Sequence, residues 1–131
     1  MNRHVLVPMD DSEPARAALE HALEWVPADR LTVVHAMDDL EADYGGVVAG
    51  ESDPDFFADA RSLAESHDRS LETAVVTGSG TADAILEYAD GKGVDAIVMG
   101  SEGKAGVSRM LLGSVAESVT RRAELPVTIV P

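Results

Sequence analysis

A chain of 131 residues with 24 acidic against 10 basic side chains has a formal charge of −14, and a surface that acidic repels nucleic acid and anionic membrane. The absence of cysteine excludes disulfides and thiol chemistry and makes a cytoplasmic location the expectation. No signal peptide is legible and no apolar run approaches the ~20 residues of a membrane span, so one domain over residues 1–131, with a single core, is expected. Only two of the ten cations are lysines, Lys92 and Lys104. Scarce lysine beside abundant acid fits a halophilic protein living in molar salt, where the Debye length falls to about 3 Å and self-repulsion is screened. An ordinary acidic cytosolic protein is the plainer alternative.

In chain order, residues 4–9 read as a short apolar strand. Ser12 is placed to cap the next helix, with Pro14 in its first turn. Ala15, Ala18, Leu19, Ala22, Leu23 and Val26 then recur at helical spacing, and Pro27 stops that helix. Leu31–Met37 is a second strand. Residues 38–70 are the least legible stretch: eleven acids fall within 38–72 against Arg61 and Arg69. Tyr44 to Gly50 reads as a loop. Pro54–His67 reads as a helix burying Phe56, Phe57, Ala60, Leu63 and Ala64. Leu71–Thr77 is a third strand and Thr81–Lys92 a helix carrying Ala82, Ile85, Leu86 and Ala89. A strand over 94–100, a helix over 114–123 and a strand over 126–130 complete the pattern. Strands alternating with helices predict an α/β fold with a parallel sheet covered on both faces.

The most informative motif follows the apolar run Val94–Met99. Gly100-Ser-Glu-Gly103 is separated by nine residues from Gly113-Ser114. Glycines at a strand's exit let a backbone approach a ligand closely. A Gly-Ser at a helix start offers N–H groups, a hydroxyl and the positive end of the helix dipole. Together they read as a phosphate cradle, whereas any one of these glycines alone reads as a plain turn. The chain lacks G-x-x-x-x-G-K-[ST], and its first strand ends without G-x-G-x-x-G, so neither a P-loop nor the dinucleotide fingerprint is present. His4, His21, His35 and His67 have no metal-ligand spacing. His4, His21 and His67 are expected at the surface and His35 partly buried.

The order G-x2-G-x9-G-[ST] resembles the nucleotide-binding motif of the universal stress protein family. The resemblance extends to Val5–Ala15, Leu31–Asp38, Val94–Gly100, Leu111–Val115 and Leu125–Val130, the whole chain except about 39–70. It implies a single doubly wound five-stranded sheet of order 3-2-1-4-5, an adenine nucleotide alpha hydrolase-like fold. In that order the winding reverses between the first and fourth strands, and ligands of open α/β sheets bind at such a reversal. Asp10 and Gly100 then flank one crevice. The family's matching aspartate contacts the nucleotide, which implies that Asp10 faces a ribose hydroxyl or a phosphate-bound metal. Ala36 matches a position whose backbone pairs with adenine. The implied nucleotide-binding set is Asp10, Ala36, Gly100, Gly103, Gly113, Ser114 and Val115. Asp11 is expected to face solvent. After the third strand, Gly78-Ser-Gly80-Thr81 departs from the family's tighter Gly-x-Pro turn.

The implied ligand is ATP, or AMP or ADP, optionally with Mg²⁺. The implied assembly is a homodimer through the C-terminal strand, with an unidentified protein partner and a stress-response or regulatory role. A structural homodimer without nucleotide function is one alternative. Weak ATP hydrolysis is another, with Asp10, Lys104 and Arg109 the only helpers, so that turnover is slow at most. Asp10-Asp11 mimics the acidic pair of a phospho-acceptor receiver domain, but Thr77-Gly78 stands where that class needs its acceptor aspartate.

Overall fold

The computed structural model describes residues 3–38, 53–102 and 112–131. Among them, five strands and four helices alternate: β1 (His4–Pro8), α1 (Glu13–Trp25), β2 (Arg30–Asp38), α2 (Phe56–Ser66), β3 (Glu72–Gly78), α3 (Thr81–Gly91), β4 (Ala96–Gly100), α4 (Ser114–Arg122) and β5 (Val127–Val130). The strands form one sheet in the order β3-β2-β1-β4-β5, and every pairing is parallel. The 3-2-1-4-5 order expected from the resemblance is therefore the order of the sheet.

β1 is central. Val5, Leu6 and Val7 are wholly buried, as a strand with parallel neighbours and helices over both faces must be. Its alternate side chains serve two cores. Val5 and Val7, with Leu31, Val33 and Val98, pack under α1 and α2 around Leu19 and Phe57. Leu6, with Val34, Ile97 and Met99, packs under α3 and α4 around Ile85 and Val119. Phe57, Ala60 and Ala64 of α2 are buried as expected, while Phe56 and Leu63 are half-buried.

Element ends differ from the expectations by at most two residues. Ser12 Oγ accepts the Ala15 N–H at 3.2 Å, which starts α1 at Glu13 as anticipated. Its other end is held from far away. The Arg69 guanidinium donates to the carbonyls of Ala22, Leu23, Val26 and Ala28, satisfying acceptors a helix C-terminus leaves open.

His4 corrects an expectation. It is 4% exposed, not at the surface. Its Nε2 lies 2.7 Å from Thr32 Oγ1, and its N–H donates to Asp95 Oδ2 at 2.8 Å. A buried hydroxyl on the neighbouring strand, 28 residues on, gives the ring a polar partner. His21 and His67 are half-buried rather than fully at the surface, and His35 is half-buried as expected. No group of three or more histidines and carboxylates fit for a metal occurs among the described residues. No helix among them is long and apolar enough to cross a membrane.

Candidate functional site

The crevice is built by the way β1 and β2 part. Their register runs from His4↔Arg30 to Pro8↔Val34, and the Met9 N–H donates to the Val34 carbonyl at 2.8 Å. There β1 ends. β2 continues beside β3 for four more residues, to Asp38↔Gly78. Backbone groups alternate sides along a strand. Because the Val34 carbonyl faces β1, the N–H and C=O of Ala36 face the same side, past the point where β1 has left. Ala36 thus presents one donor and one acceptor to the crevice, the pair an adenine edge needs.

Asp10 follows Met9, half-buried. Asp11 beside it is exposed and pairs with Arg16 at 3.2 Å, as its expected solvent-facing position requires. On the other side of β1, the register Leu6↔Ile97 carried forward sets Met9 alongside Gly100. Asp10 and Gly100 therefore flank one crevice at the carboxyl ends of β1 and β4, where the strand order reverses.

Gly100 has a different reason to be glycine from the one its motif implied. A Cβ there would lie 2.7 Å from the Pro14 carbonyl carbon and 2.9 Å from the Ala15 nitrogen. Real side chains do not approach backbone that closely. The missing side chain admits the first turn of α1. Gly113 is also engaged by the protein. Its N–H donates to the Ser101 carbonyl at 2.7 Å, and a Cβ would meet Glu102 Cα at 3.2 Å. That hydrogen bond closes the excursion between β4 and α4 and sets the helix start on the strand's exit. The Gly113 N–H is thus not among the free donors expected of the cradle.

The helix still supplies donors. Gly113 is the N-cap of α4 in extended conformation, and its carbonyl accepts the Glu117 N–H. The N–H groups of Ser114, Val115 and Ala116 precede the first intrahelical bond, so they carry the positive end of the helix dipole. Ser114 is exposed and Val115 half-buried. Gly103, and with it Lys104 and Arg109, lies outside the described residues. After β3, Gly78 belongs to the strand and packs on Ala84, at 3.1 Å from a built Cβ. Gly80 caps α3, and Ser79 Oγ donates to Asp83 Oδ2 at 2.8 Å. Arg122 also binds Asp83, and with Ser79 it holds that carboxyl below its ordinary value.

The structure brings Asp10, Ala36, Gly100, Gly113, Ser114 and Val115 to one end of the sheet. Chemically this is a binding arrangement. A carboxylate, a backbone donor–acceptor pair and a helix N-terminus together suit a ligand with hydroxyl and anionic groups.

The profile of the universal stress protein family matches residues 1–131. A universal stress protein of Methanocaldococcus jannaschii is 30% identical over 155 residues, which cover 99% of this chain and 95% of that protein. One from Thermus aquaticus is 33% identical over 144 residues, covering 99% of each. Among solved structures, a universal stress protein in complex with cAMP matches with a TM-score of 0.74 at 26% identity, covering 98% of this chain and 97% of that one. The sheet order and flanking helices are those of the adenine nucleotide alpha hydrolase-like fold.

Proposed function

The chain belongs to the universal stress protein family, and from that premise we propose that it binds an adenine nucleotide, ATP or its mono- or diphosphate, at the β1–β4 crevice. The observation that carries this reading is Ala36. Its backbone donor and acceptor point in the plane of the sheet to a space that β1 vacates, while its side chain lies on the face covered by α3 and α4. On that face α4 begins, and its first N–H groups suit phosphate oxygens. The related protein solved with cAMP supports the ligand class.

In this reading Asp10 accepts from ribose hydroxyls or helps hold a phosphate-bound Mg²⁺. Gly100 and Gly113 shape the crevice from behind, by admitting α1 and by bonding Ser101. Gly103 belongs to the proposed cradle through its motif. Mass analysis of material released from the purified, denatured protein, followed by ATP titration of the emptied chain, tests the reading. Released adenine nucleotide, or micromolar ATP binding lost in Gly103→Val, is the expected result. No release and no binding overturn it.

Binding rather than turnover is the proposed role, within a homodimeric regulatory module of the stress response. β5 is an edge strand, and two such edges pair readily across a two-fold axis. A cytoplasmic and halophilic setting completes the proposal. With a charge of −14, the melting temperature is expected to rise clearly from about 0.1 M to about 2 M KCl, beyond the range where screening alone is nearly complete. A flat melting temperature removes the halophilic reading.

A further inference from the structure

The sheet face opposite α3 and α4 carries a second opening. Between α1 and α2 lies a groove of about 440 Å³. Leu19, Phe56 and Leu63 give it an apolar lining, and Glu20 from α1 and Asp59 from α2 stand on opposite banks. Phe56 and Leu63 remain half-buried, although both pack against the core beneath.

The charges around the groove are unbalanced. Arg16, the one cation among the described lining residues, is already paired with Asp11. Glu20 and Asp59 are both exposed and have no ion pair among the described residues. The groove is also long. The lining of α2 runs from Phe56 to Ser66, about 15 Å at the helical rise. A trough along two helices, apolar below and acidic above, suits an elongated occupant with an apolar stripe and cationic flanks. The charge of −14 draws such an occupant in and repels acidic competitors.

We propose that the α1–α2 groove docks a basic amphipathic segment of a partner protein. Apolar side chains of that segment rest on the half-buried Phe56 and Leu63, above the buried Leu19, and its lysines or arginines face Glu20 and Asp59. The site is separate from the nucleotide crevice. It lies across the sheet from Ala36 and α4, with Asp10 bordering both, and it does not depend on the nucleotide reading.

The test uses the full chain and two amphipathic peptides of about five helical turns, one of leucine and lysine, the other with glutamate for lysine. Fluorescence anisotropy gives affinity, and methyl NMR of Leu19 and Leu63 gives location. The lysine peptide is expected to bind and shift both methyls, and the glutamate peptide to do neither. The double variant Glu20→Lys, Asp59→Lys is expected to weaken binding about tenfold or more. Ser62→Trp, an exposed position on the lip, is expected to block the groove while circular dichroism stays unchanged. Equal binding of both peptides, binding without methyl shifts, or unchanged affinity in the charge-reversed variant overturns the proposal. So does saturation by octylammonium with no peptide binding, which assigns the groove to a small organic cation. Concentration-dependent methyl shifts without peptide assign it to a second copy of the chain and overturn it equally. ATP titration read at the Ala36 and Ser114 amides reports the other site separately.

Discussion

The two ends of the sheet are built from different materials. At the amino end, side chains close the structure. Arg30 donates to both oxygens of Glu72 at 2.9 and 3.1 Å, Asp95 receives the His4 N–H, His4 meets Thr32, and Arg69 fastens the last turn of α1. At the carboxyl end the Ser12 cap, the Ser79–Asp83–Arg122 cluster and His35 Nδ1, 2.9 Å from the Met9 carbonyl, contribute too, but around β1 and β4 closure is largely by backbone and absent side chains: Gly100 beneath Pro14, Gly113 on Ser101, and Ala36 facing the space where β1 stops. Side-chain closure satisfies groups within the fold. Backbone closure leaves N–H and C=O groups directed outward, and these are the groups a ligand can use.

The sharpest way to break this contrast is Gly100→Val. If Gly100 serves α1 packing, the variant loses about 3 kcal/mol, seen as a lower urea midpoint with or without ATP. An unchanged midpoint with lost ATP binding would return Gly100 to the ligand. Thr32→Val tests the amino end. It keeps the shape but takes away the hydrogen-bond partner of His4 Nε2, and a loss of about 1–3 kcal/mol is expected. An unchanged midpoint would mean that the buried ring does not need that partner.

A smaller effect is expected at the Arg30–Glu72 pair, which is solvent-exposed. Hydrogen bonding from Arg30 holds the Glu72 carboxyl below its ordinary 4.5. A carboxyl with a lowered folded value stabilises fully above its unfolded value. That stabilisation fades as pH falls below 4.5 and through the lowered value. Glu72→Gln therefore makes the acid limb of the urea midpoint shallower while leaving neutral-pH stability close to the parent's. Identical acid limbs would show that the pair does not couple to folding. Asp10→Ala is read in binding. ATP affinity is expected to fall about tenfold, the loss of a single charge-assisted hydrogen bond. A large stability loss with intact ATP affinity would move Asp10 from the ligand to the fold.

Much of the architecture was legible because buried parallel strands announce themselves as continuous apolar runs, and α1 as a 3.6-residue repeat behind a serine cap. The strand order was legible through the resemblance, since periodicity alone does not rank strands in a sheet. His4 was misread because hydropathy treats an imidazole near a terminus as surface, while its partners Thr32 and Asp95 are distant in sequence. Arg69 left no signal for the same reason: its acceptors are backbone carbonyls more than forty residues earlier. The α1–α2 groove was equally invisible, because Glu20 and Asp59 come to line one groove only once both helices lie on the sheet.

By itself the sequence determined the kinds of elements, the parallel sheet and the glycine-marked turn after β4, because these depend on local patterns of apolar side chains and missing Cβ atoms. It could not separate a glycine that admits a ligand from one that admits a helix, since both need the same absence of a side chain. What packs at each glycine is seen only in the tertiary structure. The docking of α1 on β4 occupies the space at Gly100, the Ser101 carbonyl takes the Gly113 N–H, and the early exit of β1 leaves the backbone of Ala36 facing the crevice.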